Sequence, residues 1–272
     1  MSLLETVSAR LRPAFATAML TAGISVGPPS DPAQVRELMA RLRPVDAGFR
    51  LVRLGDDGDG GYLAPDDLDG VVACFSPGVD NRASFELGMA ARGVPCFLAD
   101  GTVPRSPVEH ELLHFRSTNI GVVDGPSTTT MDSWIDGCAP PSGDLVLQMD
   151  IEGFEVPALL NISDRNLARC RIMIVEFHEL DGLFARATLR QLQAVFDRLL
   201  AGHHLVHVHA NNYGGVVSRR GVGVPRVIEA TFLRRDRVAS TRPVAHLPHP
   251  LDIRNAPHLP DVQFPLLDPS PH

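Results

Sequence analysis

The stretch that decides the fold is residues 204–233, which read HLVHVHANNYGGVVSRRGVGVPRVIEATFL. Its two ends, His204 to His209 and Arg226 to Leu233, are apolar runs of the length and composition of β-strands. The segment between them shows no helical pattern. A crossover between parallel strands takes a dozen or more residues and usually contains a helix, so we expect these two strands to form an antiparallel hairpin.

Upstream of this hairpin, apolar runs alternate with helical patterns. This alternation is typical of βαβ units. It predicts the α/β class, with a mostly parallel, Rossmann-like sheet that ends in the antiparallel hairpin. A dehydrogenase half-domain does not end in such a hairpin. We predict about seven strands, at 71–76, 95–99, 114–120, 144–150, 171–178, 204–209 and 226–233.

The chain divides into three predicted parts: an N-terminal helical cap at 1–48, the Rossmann-like domain at 49–240 and a proline-rich tail at 241–272. Asp31-Pro32 opens the second helix of the cap. The two helices cover the domain or form a homodimer contact. The first of them is predicted from apolar residues on one face, Val7, Leu11, Phe15 and Ala18.

Composition excludes several classes of function. Each of the 25 basic residues is an arginine, which excludes Schiff-base chemistry, a phosphate-loop lysine and a lysine general base. A net charge of −7 without runs of like charge disfavours nucleic acid and anionic membranes as partners. The four cysteines form no C-x-x-C pair, and no apolar stretch reaches the roughly 20 residues of a membrane span. We therefore expect a cytoplasmic protein.

Two strand ends predict a small-molecule site. Strand 71–76 runs into Ser76-Pro-Gly78-Val-Asp80-Asn81 and then into a helix. Gly78 lets a ligand approach the backbone, and a helix opening at Asp80 or Asn81 offers free N–H groups. Strand 95–99 ends in Asp100, about 20 residues further on, where nucleotide-binding sheets place an acid for ribose hydroxyls. The alternative is an ordinary turn with a solvated aspartate.

Acidic residues and a histidine follow the next two strands. Because side chains alternate along a strand, each pair turns to one side at the carboxyl edge of the sheet. The four residues are Asp150, Glu152, Glu176 and His178. Buried acids cost free energy unless they are paired, so their convergence favours a functional site. The alternative is a network of ion pairs with arginines such as Arg169 or Arg171.

His178 is the best candidate for a general base, because its ring titrates near neutrality. A divalent cation such as Mg²⁺ or Mn²⁺ is the alternative, held by Asp150, Glu152, His178 and His209. The Gly58-Asp-Gly-Gly61-Tyr62 segment lacks the ligands of a calcium loop. It is a turn between short strands at 50–54 and 61–64, or a lip beside the ligand.

Five segments together resemble the FkbM-type methyltransferases, over roughly residues 50 to 235 and most strongly at Asp150-Ile-Glu-Gly. The resemblance implies a class I methyltransferase sheet and S-adenosylmethionine as methyl donor. It also implies O-methylation of a small-molecule hydroxyl on a sugar, polyketide or other secondary metabolite. The segments are Gly-Asp-Gly-Gly-Tyr at 58–62, Ser-Pro-Gly-Val-Asp-Asn-Arg-Ala-Ser-Phe-Glu at 76–86, Leu-Gln-Met-Asp-Ile-Glu-Gly-Phe-Glu at 147–155, Val-Glu-Phe-His at 175–178 and His-Ala-Asn-Asn at 209–212.

Transferred to this chain, the resemblance assigns cofactor-binding and catalytic residues. Cofactor contacts are expected from Gly61, Tyr62, Ser76, Gly78, Asp80, Asn81, Asp100 and Asp150. Gly78 and Asp80 would lie along the methionine part of the cofactor, and Asp100 at its ribose. The methyl group and the acceptor would face the catalytic residues His178, Asp150, Glu152 and Glu176.

Two other functions remain open from the sequence. One is a protein of the same fold that binds the cofactor or a metabolite without catalysis, which fits a glycine motif reduced to Gly78. The other is a nicotinamide-dependent oxidoreductase, whose sheet would begin in the same way. The terminal hairpin and the missing glycine fingerprint argue against the oxidoreductase.

Overall fold

The computed structural model describes residues 28–244 and 246–264. The predicted helix through Val7 and Ala18 lies outside these residues. The strands are β1 (Val45–Asp46), β2 (Leu51–Leu54), β3 (Tyr62–Pro65), β4 (Val71–Pro77), β5 (Cys96–Ala99), β6 (Leu113–Arg116), β7 (Asn119–Ile120), β8 (Thr128–Thr129), β9 (Asp144–Met149), β10 (Cys170–Phe177), β11 (His203–Ala210), β12 (Val216–Arg219), β13 (Val222–Pro225), β14 (Ile228–Arg234) and β15 (Arg242–Pro243).

Helices connect these strands. They are α1 (Pro32–Arg41), α2 (Ser84–Ala90), α3 (Met131–Cys138), α4 (Glu155–Asn161), α5 (Asp164–Arg169) and α6 (Arg186–Gly202), with 3₁₀ helices at Leu180–Phe184 and Arg235–Arg237. Among the described residues, no helix is both long enough and apolar enough to span a membrane.

The centre of the fold is a seven-stranded sheet in the order β11-β14-β10-β9-β4-β5-β6. Neighbouring strands from β10 to β6 are parallel, whereas β14 is antiparallel to both β10 and β11. The predicted α/β class and the predicted terminal hairpin are therefore confirmed. Strand β14, the last strand of this sheet along the chain, inserts between the earlier strands β10 and β11. This is the arrangement of a class I methyltransferase sheet.

The apolar pattern explains this architecture. Strand β10 reads CRIMIVEF and is buried along its whole length, as expected for a central strand covered on both faces. Helix α6 instead buries one stripe, formed by Leu189, Leu192, Val195, Phe196 and Leu199. That spacing is the one that turns a helical face toward a sheet.

Helix α1 belongs to the same core as the sheet. The side chain of Asp31 accepts a hydrogen bond from the N–H of Ala33 at 2.9 Å, and Pro32 follows at the first helical position, as the sequence predicts. Val35 and Leu38 are buried in the core cluster that also contains β10 and α6. The segment 246–264 contacts β11, where Asp252 accepts a hydrogen bond from His207 at 2.8 Å.

Two local predictions differ from the structure. The single strand predicted at 114–120 is two short strands, β6 and β7, because the chain turns at Ser117-Thr118. The helix predicted to open at Asp80 or Asn81 begins at Ser84 instead. Asp80 has a left-handed φ of +43°, which no helical residue adopts. The short strands predicted at 50–54 and 61–64 are confirmed as the β2–β3 hairpin.

Candidate active site

Two cavities lie at the carboxyl edge of the parallel strands, where open α/β sheets bind ligands. The first, of about 530 Å³, is lined by Asp100, Asn119 and Phe154, and we call it the Asp100 cavity. The second, of about 520 Å³, is lined by Tyr62 and His178, and we call it the His178 cavity. They meet at four residues that line both, Gly78, Asp80, Asp150 and Glu152.

Gly78 forms the junction between the two cavities. Its φ is +85°, which residues with a side chain rarely adopt. A Cβ atom at this position would lie 1.5 Å from the carbonyl oxygen of Asp150. The residues that follow β4 and β9 therefore meet backbone to backbone, and only glycine permits this close approach.

Asp100 is fixed as an ionised carboxylate at the end of β5. One oxygen accepts the N–H of Asp80 at 2.8 Å, and the other accepts the N–H of Thr102 at 2.7 Å and its hydroxyl at 2.6 Å. Burial raises the pKa of Asp100, but these hydrogen bonds outweigh it and hold the pKa below its usual value. The carboxylate is thus a charged acceptor in the wall of the Asp100 cavity.

His178 is oriented by a carboxylate that the sequence did not single out. Its Nδ1 lies 3.0 Å from Oε1 of Glu155, whose side chain is 1% exposed. The same oxygen accepts the N–H groups of Ile151 at 3.2 Å and Gly153 at 3.0 Å. Glu155 therefore fixes both the turn after β9 and the ring of His178. Glu155 is the last residue of the Asp-Ile-Glu-Gly-Phe-Glu segment. Its place in that acidic segment is the feature of the sequence that could have identified it.

The other nitrogen of His178 faces three predicted acids. Nε2 lies 3.5 Å from Glu152, 3.7 Å from Asp150 and 4.0 Å from Glu176. Burial lowers the pKa of His178, but Glu155 above all, together with Asp150 and Glu152, raises it above the usual value. Nε2 thus stays open toward the cavity, in a strongly acidic environment.

Asp150 and Glu152 face the same side of the site, as predicted, but strand alternation is not what brings them together. Strand β9 ends at Met149, before either acid. The chain then turns sharply, with φ of +52° at Glu152 and +100° at Gly153. The turn leaves the Glu152 side chain 86% exposed, yet its carboxylate still reaches His178.

Neither arginine of the alternative interpretation neutralises these acids. Arg171 pairs with Asp144 at 2.7 Å and with Asp67 at 3.5 Å. Arg169 donates to the carbonyl oxygens of Pro140 and Gly143. Arg169 is the last residue of α5, directly before β10, and Arg171 is the second residue of β10. Their hydrogen bonds and ion pairs therefore stabilise the opposite edge of the sheet.

Behind His178 lies a buried network of acids. The Tyr62 hydroxyl lies 3.2 Å from both Asp150 and Glu176, and Asn211 donates to Glu176 at 2.7 Å. Burial raises the pKa of Glu176 well above its usual range and the pKa of Asp150 to about 7. Asp150 is therefore partly protonated at neutral pH. Its Oδ1 is buried and has no hydrogen-bond partner within 28–244 and 246–264.

Ser76 lies behind the cavity wall. It is fully buried, and its hydroxyl bonds with Glu86 and Gln148, which themselves line the His178 cavity. Burial raises the pKa of Glu86. Ser76 thus positions wall residues, and the structure does not place it where a cofactor would touch it.

The glycine-rich loop of residues 55–61 lies beside the same cavity. Arg53 donates to the carbonyl oxygens of Asp56 at 2.8 Å and Gly58 at 2.7 Å, which closes the loop on itself. Gly61 sits inside this turn, where a Cβ would lie 1.9 Å from the Asp56 carbonyl oxygen. Gly60, Tyr62 and the exposed Asn81 line the His178 cavity.

Within the described residues, one group of three side chains has the spacing for a metal ion. Ligand atoms of Asp150, Glu152 and His178 lie within 4.8 Å of one another. The structure does not bring His209 to this group. Its Nδ1 lies 3.4 Å from Glu229, the residue opposite it on β14.

Part of the chain is similar in sequence to a known protein family. Residues 98–201 match the sequence model of the methyltransferase FkbM domain. Over these residues the chain is similar to that family. The matched segment runs from the end of β5 to the end of α6, and it contains Asp100, Asp150, Glu152, Glu176 and His178. It confirms the resemblance seen in the sequence.

Two solved structures align at low similarity. The 1,6-didemethyltoxoflavin-N1-methyltransferase of Burkholderia thailandensis, solved with 1,6-didemethyltoxoflavin and S-adenosylhomocysteine, is 13% identical and has a TM-score of 0.28, over 86% of this chain and 91% of that one. EvdMO1 is 14% identical with a TM-score of 0.29, over 75% of this chain and 47% of that one. At these TM-scores, neither structure identifies residues of the site in this chain.

No curated protein matches the sequence at a significant level. The family match and the order of the central sheet together support an S-adenosylmethionine-dependent methyltransferase. They do not specify which atom of an acceptor such an enzyme would methylate.

Proposed function

We propose that the protein transfers the methyl group of S-adenosylmethionine to a hydroxyl group of a small-molecule acceptor, with His178 as general base. The acceptors proposed are sugars, polyketides and related secondary metabolites. The observation that carries the proposal is the orientation of His178. Glu155 holds Nδ1 at 3.0 Å, while Nε2 faces the cavity.

The residues fit the proposed cofactor. Asp100 offers charged oxygens in a cavity of about 530 Å³, and Gly78 lines both that cavity and the His178 cavity without a side chain. Asp80 lines both cavities, beside Asp150 with its unpartnered oxygen. Acid-rich surroundings without a lysine suit a sulfonium cation. When bound, the cofactor supplies an electrophilic methyl group.

The protein's own residues supply alignment and proton transfer. The neutral ring of His178 accepts the acceptor's hydroxyl proton at Nε2. The buried Glu155 carboxylate then stabilises the imidazolium and keeps Nδ1 protonated throughout. Because the pKa of His178 is raised, the ring is a stronger base than a free imidazole, and turnover should rise with pH through that pKa.

The test separates cofactor binding from catalysis. Wild-type protein and His178→Ala are titrated calorimetrically with S-adenosylhomocysteine, and both are assayed for transfer of labelled methyl groups to a panel of hydroxylated sugars and polyketides. We expect His178→Ala to bind the cofactor product within about twofold of the wild type and to lose about 10²-fold or more of its turnover. Equal loss of binding and turnover would refute the base role.

A metal-assisted reaction is the second candidate, because Asp150, Glu152 and His178 have the spacing to hold Mg²⁺ or Mn²⁺. The ion would acidify the acceptor hydroxyl in place of the free base. Treatment with EDTA separates the two mechanisms. Turnover that survives chelation supports the free base, whereas loss that Mg²⁺ or Mn²⁺ restores supports the metal.

A further inference from the structure

A third cavity, of about 900 Å³, adjoins the proposed catalytic site. It shares Glu152, His178, Gly214 and Val227 with the His178 cavity, so the two are continuous. Helix α4 forms one side and the start of α6 another. We name it the Leu160 cavity after a residue that lines it but neither of the other two.

One wall of the Leu160 cavity is apolar. Val156, Pro157 and Leu160 line it from α4, and Leu192 lines it from α6. Leu160 is 41% exposed although it lies beside a polar site. Apolar surface exposed next to a few convergent polar groups is typical of a ligand pocket. A molecule with an apolar face would remove this wall from water.

The rim of the Leu160 cavity is acidic. Glu152, Glu179 and Asp181 line it, against the single cation Arg226, so its net charge is −2 with His178 neutral. Arg226 lies 3.7 Å from Asp181, which balances those two charges. Within the described residues, no arginine pairs with Glu179 or Glu152. These two carboxylates therefore face the cavity without a counter-charge from arginine.

We propose that the Leu160 cavity binds the acceptor, a hydroxyl compound with an extended apolar face and no anionic group, and that Glu179 excludes acceptors with phosphate or carboxylate groups. The identity of this ligand as the acceptor rests on the proposed methyl transfer. The volume of the Leu160 cavity is at the upper end of the roughly 300–1,000 Å³ of ligand pockets, so the acceptor is larger than a single sugar ring. Its apolar face lies on Val156, Leu160 and Leu192, and its hydroxyl reaches Nε2 of His178.

Two fluorescent probes that differ only at one sugar carbon test this. They are 2-naphthyl β-D-glucopyranoside, which is neutral, and 2-naphthyl β-D-glucuronide, which carries a carboxylate. Fluorescence polarisation gives the Kd of each for the protein saturated with S-adenosylhomocysteine. We expect the glucoside to bind about tenfold more tightly at low salt, with the difference shrinking at high ionic strength because exposed charges are screened.

Two variants locate the effect. Glu179→Gln should tighten glucuronide binding by about threefold and leave glucoside binding unchanged, because it removes only a charge. Leu160→Asp should weaken glucoside binding by about tenfold. Glu111→Gln and Val123→Asp, at exposed positions outside the lining of this cavity, are the matched controls and should change neither Kd.

Several results would overturn the assignment. The first is equal affinity for the two probes. The second is a ratio of affinities that Glu179→Gln does not change. The third is no binding of the glucoside to protein that binds S-adenosylhomocysteine. If the proposed methyl transfer is wrong but the cavity assignment is right, a different result is expected. In that case the wild type binds no S-adenosylhomocysteine, while the glucoside still binds and still discriminates.

Discussion

Replacing Glu155 by glutamine tests whether this buried carboxylate positions and stabilises the His178 ring. Glu155 is 1% exposed, and its Oε1 receives Nδ1–H of His178 at 3.0 Å together with the N–H groups of Ile151 and Gly153. Glutamine keeps an acceptor oxygen in the same place and removes only the charge. The fold should therefore survive, whereas the imidazolium should lose its buried counter-charge.

The magnitude follows from the kind of bond that is lost. A hydrogen bond to a charged group contributes about 1.5–3 kcal/mol and a neutral one about 0.5–1.5 kcal/mol, so the substitution removes about 1–1.5 kcal/mol. Because 1.4 kcal/mol is a factor of ten, turnover should fall about tenfold. The pKa of His178 should fall as well, since Glu155 is the main group that raises it.

Ring titration by NMR on protein with ¹³C-labelled histidine, in EDTA and saturating S-adenosylhomocysteine, measures the pKa without an acceptor. Glu152→Gln is the matched control. It makes the same chemical change 3.5 Å from the other ring nitrogen, but on a side chain that is 86% exposed and so screened by water. A larger shift from Glu152→Gln than from Glu155→Gln would refute the positioning role of Glu155.

Three further predictions follow. Gly78→Ala should lower the Tm by several degrees and abolish calorimetric binding of S-adenosylhomocysteine, because its Cβ would overlap the Asp150 carbonyl. Asp100→Asn should weaken that binding by about tenfold, with little change in Tm. Burial raises the pKa of Asp144, but hydrogen bonds from Arg234 and Arg171 hold it below its usual value. Its contribution to stability is present above the unfolded pKa of about 3.9 and is lost as pH falls through the lower folded value, so denaturant midpoints of wild type and Asp144→Asn should converge in strong acid.

The sequence predicted the central sheet well because its strands are buried on both faces. Continuous apolar runs such as 71–76 and 171–178 stop where polar residues begin, and the structure ends those strands at Pro77 and Phe177. The hairpin prediction succeeded for a different reason, since the segment between β11 and β14 has no helical pattern and instead forms the β12–β13 pair. The break between β6 and β7 was missed because nothing in the apolar pattern of 114–120 marks the turn.

Individual site residues were only partly predictable. Strand ends placed Asp100, Asp150 and His178 at one edge, since the carboxyl ends of parallel strands share it. Glu155 was missed because it lies on α4, and only the backbone turn at Gly153 brings it back to His178. Pairings of this kind depend on φ and ψ of a few residues, which strand alternation does not describe.

The buried acids share their protons through Tyr62. Its hydroxyl can donate one hydrogen, yet it lies 3.2 Å from both Asp150 and Glu176. Burial raises the pKa of Glu176 well above its usual range, which favours the protonated acid, and that form donates to Tyr62 while Asn211 donates to its other oxygen. Tyr62 can then donate to Asp150, whose pKa near 7 keeps it poised between charge states. Asp150 lines both cavities, so its ionised form would attract a cationic ligand, which is the charge of the proposed methyl donor.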